Sequence, residues 1–215
     1  GVTFSPSTAW SYPNSIGYNH ADVHVLEWVN KTIYSGSDGG IYKSTDLGDN
    51  WTDLSAGLGI RQFYRIANSK ANSQLFTGGA QDNGSSVFTN GVWQDWLGAD
   101  GMDGLIHPGN DNLMIGTSQY GSIYKSINGG LSYASLARPS SGEWVTPLDF
   151  VEQNGTMYGG WSGVYKSANN GDTWTKISGT AITTTLTCLK VAPSNPNYIY
   201  ASRGTTLYYT KDGGT

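Results

Sequence analysis

A chain of 215 residues with 30 glycines, 8 tryptophans and 14 tyrosines but only 13% charged residues describes many tight turns and large rings, which points away from helical bundles and disorder. No run approaches the roughly 18 apolar residues of a membrane helix, and Gly1–Tyr12 does not read as a charged, apolar, cleavable leader, so the chain is expected to be processed or cut from a longer one. A net charge of −4, with 12 Lys and Arg scattered singly, supplies no electrostatic footprint for nucleic acid.

Residues 1–22 read as a linker or as part of a preceding or closing unit, with His20, Asp22 and His24 leading into the first strand. Strand-like runs then follow in groups of four. The first group is 23–28, 32–36, 40–45 and 51–54, and the second is 63–67, 74–78, 85–89 and 92–96. The third is 102–106, 113–117, 122–126 and 133–136, and the fourth 147–152, 156–160, 163–167 and 174–177. The fifth has 186–191, 198–202 and 206–210. Four short strands per unit of about 41 residues, joined by Gly, Asn and Asp turns, are the pattern of β-propeller blades. The expected fold is therefore all-β, with four-stranded antiparallel blades at about 23–58, 59–98, 99–138 and 139–180 and an incomplete one at 181–215, a fragment of a larger propeller. Cys188, the single cysteine, falls in an apolar run and is expected to be a small buried hydrophobe.

A spaced motif marks the units. It runs Ser44-x-Asp46-x-Gly48-x-x-Trp51, Ser126-x-Asn128-x-Gly130-x-x-Tyr133 and Ser167-x-Asn169-x-Gly171-x-x-Trp174, with a fourth copy, Thr210-x-Asp212-x-Gly214, lacking its ring. Phe88-Thr-Asn-Gly-Val-Trp93 is a degenerate copy in the second unit. An Asp or Asn two residues into a turn accepts hydrogen bonds from the following amides, and the glycine permits a positive φ. The closing ring is expected to wedge between stacked units. These are scaffold residues. Asn in two copies would remove ligand charge, so no metal and no cofactor is expected.

The motif resembles the Asp-box, or BNR repeat. The succession His20-Ala-Asp-Val-His24, Ser37-Asp-Gly-Gly-Ile-Tyr-Lys-Ser44, Ala80-Gln-Asp-Asn-Gly84 and Gly98-Ala-Asp-Gly-Met-Asp103 is similar to secreted Asp-box propellers of Bacteroidetes-type bacteria. Many of those are labelled glycosyl hydrolases or linked to type IX secretion. The wider group includes sialidases, xyloglucan-cleaving endoglucanases and sortilin. The resemblance implies an extracellular or cell-surface location and a place in a larger multidomain chain. It also implies that Asp38, in Ser-Asp-Gly-Gly-Ile-Tyr, matches the catalytic Asp of the endoglucanase segment Thr-Asp-x-Gly-Gly-x-Tyr, here one residue shorter. Those enzymes place their second acid in a second propeller, for which this chain has no room. Arg61, Arg65, Arg138 and Arg203 lack the spacing of a sialidase triad.

In an antiparallel blade the box turns emerge on one side, while the turns from strand two to three and the connections between blades emerge on the other. That second rim collects Asp38, Gln81, Asp82, Asn83, Asp100, Asp103, Tyr120 and Trp161, together with His20, Asp22 and His24. Two functions follow as expectations. The first is a module binding a glycan or a protein partner through this rim. The second is a glycoside hydrolase using two rim acids, Asp38 with Asp100 or Asp103, which requires carboxylates about 5–9.5 Å apart across one groove.

Overall fold

The structure, a computed structural model, describes residues 3–10 and 14–214; parts of the N-terminal segment and Thr215 at the end of the fourth box lie outside them. The chain divides into two compact units, residues 1–61 and 62–215. Unit 1 holds one antiparallel sheet, β1 (Val23–Val29), β2 (Thr32–Ser37), β3 (Gly40–Ser44) and β4 (Thr52–Asp53), in that order. Residues before β1 follow it closely: the Trp51 amide donates to the Ile16 carbonyl at 2.8 Å, and buried Asn19 accepts from the Ser35 hydroxyl at 3.3 Å.

Unit 2 holds four sheets of the same up-and-down order. They are β5 (Phe63–Asn68), β6 (Phe76–Ala80), β7 (Ser85–Thr89) and β8 (Val92–Leu97); β9 (Gly104–His107), β10 (Asn110–Ser118), β11 (Ser122–Ser126) and β12 (Ala134–Leu136); β13 (Leu148–Phe150), β14 (Met157–Trp161), β15 (Gly163–Ser167) and β16 (Thr175–Lys176); and the three-stranded β17 (Cys188–Val191), β18 (Ile199–Arg203) and β19 (Thr206–Thr210). No α-helix occurs among the described residues. Three apolar clusters lie between successive sheets of this unit. One joins Val87, Trp96 and Leu97 to Ile106 and Met114, one joins Ile115 and Ile123 to Leu148, Met157 and Trp161, and one joins Tyr158 and Val164 to Leu189, Val191, Ile199 and Ala201. A glycine on a second strand makes room for such contacts. A Cβ at Gly116 would lie 2.4 Å from Leu97 Cδ1 and 2.8 Å from Trp96 Cζ2, so large side chains of one sheet rest directly on the backbone of the next.

The three complete boxes share one hydrogen-bond plan. In each, the serine hydroxyl accepts the glycine amide at 2.9 Å, as Ser44 does from Gly48, Ser126 from Gly130 and Ser167 from Gly171. The same hydroxyl donates to the side chain of Asp46, Asn128 or Asn169 at 2.8–2.9 Å. That side chain accepts an amide four residues on, from Asn50, Ser132 or Thr173. The choice of Asp or Asn follows its partner: the Asp46 carboxylate accepts from the Asn50 side-chain amide at 2.6 Å, whereas the amides of Asn128 and Asn169 donate to the hydroxyls of Ser132 and Thr173 at 2.9 Å. Acceptor meets donor in every copy, and a metal ligand set is not what varies.

The degenerate copy is a different turn. Asn90 and Gly91, with φ of 51° and 82°, form a two-residue hairpin in which Thr89 pairs with Val92. Without a box to traverse, β8 runs six residues, against two or three for β4, β12 and β16. Its Trp96 does the wedging, 5% exposed and edge-on to Tyr133, the half-exposed closing ring of the box at Ser126, just before β12.

Candidate functional site

Both units carry residues of the expected rim. In unit 1, the His24 Nε2 lies 2.7 Å from the Asp38 carboxylate; the His24 side chain is largely exposed and that of Asp38 partly so. His20 turns its ring onto Gly39, where a Cβ would lie 2.1 Å from the imidazole, and its Nδ1 lies 3.0 Å from the Ala21 carbonyl. Asp22 is exposed and has a φ of 56°.

In unit 2 the rim is built from the β6–β7 turn, the β8–β9 connection, the β10–β11 turn and residues 137–147 between β12 and β13. The first two interlock. The Gly84 amide donates to Ala99, the Gly101 amide to Ala80, and the Asp82 amide to the Asp100 carboxylate at 2.7 Å. The second oxygen of Asp100 accepts from the Gln119 side chain. Asp100 therefore ties three loops together.

Among the described residues with a left-handed backbone, which on this rim include Asp82 and Ala99, Tyr120 is the one aromatic. It sits at φ 59° and ψ 27°, a left-handed conformation that costs an aromatic residue roughly 1–3 kcal/mol. Three contacts to residues 138–144 hold it there: its amide donates to the Trp144 carbonyl at 3.3 Å, and its carbonyl accepts from Gly142 at 2.9 Å and from the Arg138 guanidinium at 2.7 Å. The result is a half-exposed Tyr120 ring standing edge-on to the half-exposed Trp144 indole, with centroids 5.3 Å apart. The indole Nε1 donates to the Tyr64 hydroxyl at 3.0 Å, which in turn donates to Gln81 at 3.2 Å. Tyr64, Tyr120 and Trp144 thus form one ring cluster on this rim, bordered by Gln81 and by Asn83, whose amide donates to the Gln81 carbonyl at 3.1 Å. Three rings with polar tips and no net charge of their own suit stacking on a neutral, hydroxyl-rich surface.

Three expectations are corrected here. Trp161 is fully buried, with its indole donating to the Gly121 carbonyl at 3.1 Å and its ring 4.8 Å from that of Trp174, so it has no face for a ligand. The reading placed it in a turn, but β14 continues through it and pairs Trp161 with Gly163. Asp103 is 4% exposed; its carboxylate accepts from Arg65 at 3.2 Å and from the Leu148 amide of the next sheet. Burial raises its carboxyl to about 6, against the lowering effect of Arg65. It fastens two sheets and is not open to a substrate. Cys188 is exposed, because the strand begins there and turns it to the side of Lys190, away from buried Leu189 and Val191.

Tyr64 and Trp144 escaped the sequence reading. A tryptophan inside the polar connection Pro139-Ser-Ser-Gly-Glu-Trp144 was the available signal, since connections between blades belong to this rim.

No protein-family profile matches the sequence, and no curated protein matches it. Solved structures do match. A GH74 enzyme from Niastella koreensis aligns with a TM-score of 0.58 at 21% identity, over 89% of this chain and 37% of its own. A structure described as an ancestral GH74 enzyme aligns at 0.55 and 23% identity, over 84% of this chain and 27% of its own. The fold is that of a β-propeller. The chain spans about a quarter to two fifths of the length of those proteins, so their likeness bears on architecture and leaves the chemistry to the residues here.

Proposed function

We propose that this chain is a binding module for a neutral glycan, which it holds through Tyr64, Tyr120 and Trp144 of unit 2, with Gln81 and Asn83 at the border. The observation that carries the reading is Tyr120: backbone strain retained at a surface turn, tied by three hydrogen bonds, serves to present a ring beside Trp144. The GH74 glycoside hydrolase neighbours agree with a carbohydrate-directed propeller. An extracellular or cell-surface location within a larger multidomain chain belongs to the same reading, as do blades at about 23–58, 59–98, 99–138, 139–180 and 181–215. Asp82 of unit 2 belongs to the border of this site, while His20, Asp22, His24 and Asp38 of unit 1 are proposed only as binding residues of their own unit.

The hydrolase alternative has less support. The Asp100 carboxylate accepts on both oxygens from the two neighbouring loops, and Asp103 is sealed against Arg65. Affinity electrophoresis against xyloglucan, mannan and mixed-linkage β-glucan tests both readings when the same mixtures are assayed for new reducing ends. Retardation without new reducing ends is expected. Reducing ends that vanish in Asp38→Asn or Asp100→Asn would establish the enzyme instead, and no retardation by any of the three would overturn glycan binding.

A further inference from the structure

Asp103 fastens two sheets, but fastening does not account for Arg65. Asp103 is fixed from its own side: its amide donates to the Thr117 hydroxyl at 2.9 Å, its carbonyl accepts the Thr117 amide at 2.9 Å, and its carboxylate accepts the Leu148 amide at 3.4 Å. The following pair of sheets shows what fastening alone requires. Asp149 accepts the Val191 amide at 2.8 Å in the same way, and its counter-ion is Lys190, the residue beside Val191. The counter-ion of Asp103 comes instead from β5, 38 residues before it. The same guanidinium donates to the Thr187 carbonyl at 3.2 Å, so Arg65 binds acceptors beside both β9 and β17.

The residue before Arg65 gives that reach a purpose. The pairing of β5 with β6 steps from Phe63 and Ala80 to Arg65 and Gly79, so Tyr64 is an extra residue, a β-bulge. A bulge breaks the alternation of faces and re-aims a side chain. Tyr64 accepts from the Trp144 indole and donates to Gln81 of the β6–β7 turn. Unit 1 contains the same device: β1 steps from Val23 and Ser37 to Val25 and Gly36 of β2, and the extra His24 reaches Asp38 just past the end of β2. The pairing of β13 with β14 and of β17 with β18 has no such step, so a sheet of this kind does not need one.

We propose that Arg65, anchored on Asp103, is a positioning residue of the glycan site: by pinning the bulge from its second residue it fixes the Tyr64 hydroxyl to which the Trp144 indole donates, and so sets the rings against each other. The proposal rests on the glycan reading above. A guanidinium suits the task because its planar fork serves two acceptors at once, where an ammonium is a point charge. A buried ion pair adds little net stability over apolar residues of like volume, so stability alone does not explain this one.

The test reads the Trp144 indole N–H resonance by heteronuclear NMR, identified by its loss in Trp144→Phe, with polysaccharide affinity measured in parallel. Tyr64→Phe supplies the position of that resonance when the hydrogen bond is gone. In Arg65→Lys the resonance is expected to move toward that position and affinity to fall about fivefold or more, with circular dichroism unchanged. Lys190→Met, which breaks the comparable fastening at Asp149, is expected to change neither. Should Arg65→Lys fail to fold, the double variant Asp103→Asn with Arg65→Met, which leaves the pair uncharged and keeps an oxygen for the Leu148 amide, is read in its place with the same expectation. An unmoved resonance, an equal movement in Lys190→Met, or unchanged affinity in a chain that a polysaccharide retards overturns the proposal. A parent chain that no polysaccharide retards removes the glycan reading instead, and the resonance still decides whether Arg65 sets the rings.

Discussion

The box turns and the rim turns of unit 2 are made from similar residues, Asp, Asn, Gly and a ring, yet they leave those groups in opposite states. In the boxes the serine hydroxyl, the Asp or Asn side chain two residues on and the residue four beyond that side chain satisfy one another within the turn, and the closing ring of the box at Ser167 packs against the core. On the rim, polar atoms bridge between loops distant in sequence, as Asp100 does to Asp82 and Gln119, and the rings of Tyr120 and Trp144 stay half in water. A turn that satisfies itself is scaffold. On the proposed reading, a turn that borrows its support from elsewhere and keeps a left-handed aromatic residue half in water is shaped by its ligand as well as by stability.

Several substitutions can break or sharpen this contrast. The largest effect is expected for Trp161→Ala, which empties a fully buried site and should cost about 3–5 kcal/mol in urea unfolding, while Trp144→Ala at the exposed rim should change stability little. Equal losses would erase the distinction between core ring and rim ring. Next, Ser167→Ala removes the hub of a box and strands the buried Gly171 amide, so about 1–3 kcal/mol should be lost. A loss near zero would mean the hub hydroxyl is replaceable by water.

Two smaller effects depend on pH. Burial holds the Asp103 carboxyl near 6, above its unfolded value, so the folded chain binds the extra proton between about pH 4 and 6 and stability should fall as pH rises through that window. Asp103→Asn should flatten this part of the pH profile; an unaltered slope would show that another group titrates there. Asp46 has the opposite sign. Hydrogen bonds from the Asn50 side chain and amide and from Ser44 hold it near 2, so its contribution is complete above pH 4 and fades as pH falls toward 2. Because Asp46 is fully exposed the effect should be slight, and the boxes with Asn128 and Asn169 should contribute none of it. Acid unfolding of Asp46→Asn compared with the parent chain measures it, and a larger acid sensitivity in the variant would contradict the assignment.

The strand pattern was legible because alternation and turn residues repeat five times, and the box spacing carried the hidden second unit even where its box is gone. The hub role of the serine was less visible, since a hydroxyl can serve many partners and only the folded turn selects them. Trp161 was misplaced because Gly160 before it and Gly163 after it look like a loop, whereas a tight turn at Ser162 lets the strand continue. Asp103 read as a rim acid because its partner, Arg65, is 38 residues away and belongs to another sheet. Tyr64 and Trp144, 80 residues apart, meet only through sheet stacking, so no local spacing announces their hydrogen bond.

The most direct test is titration of the retarding polysaccharide into the parent chain and into Trp144→Ala by calorimetry. The account predicts about a tenfold or greater weakening for Trp144→Ala with unchanged unfolding midpoint. Equal affinity in the two proteins would contradict it.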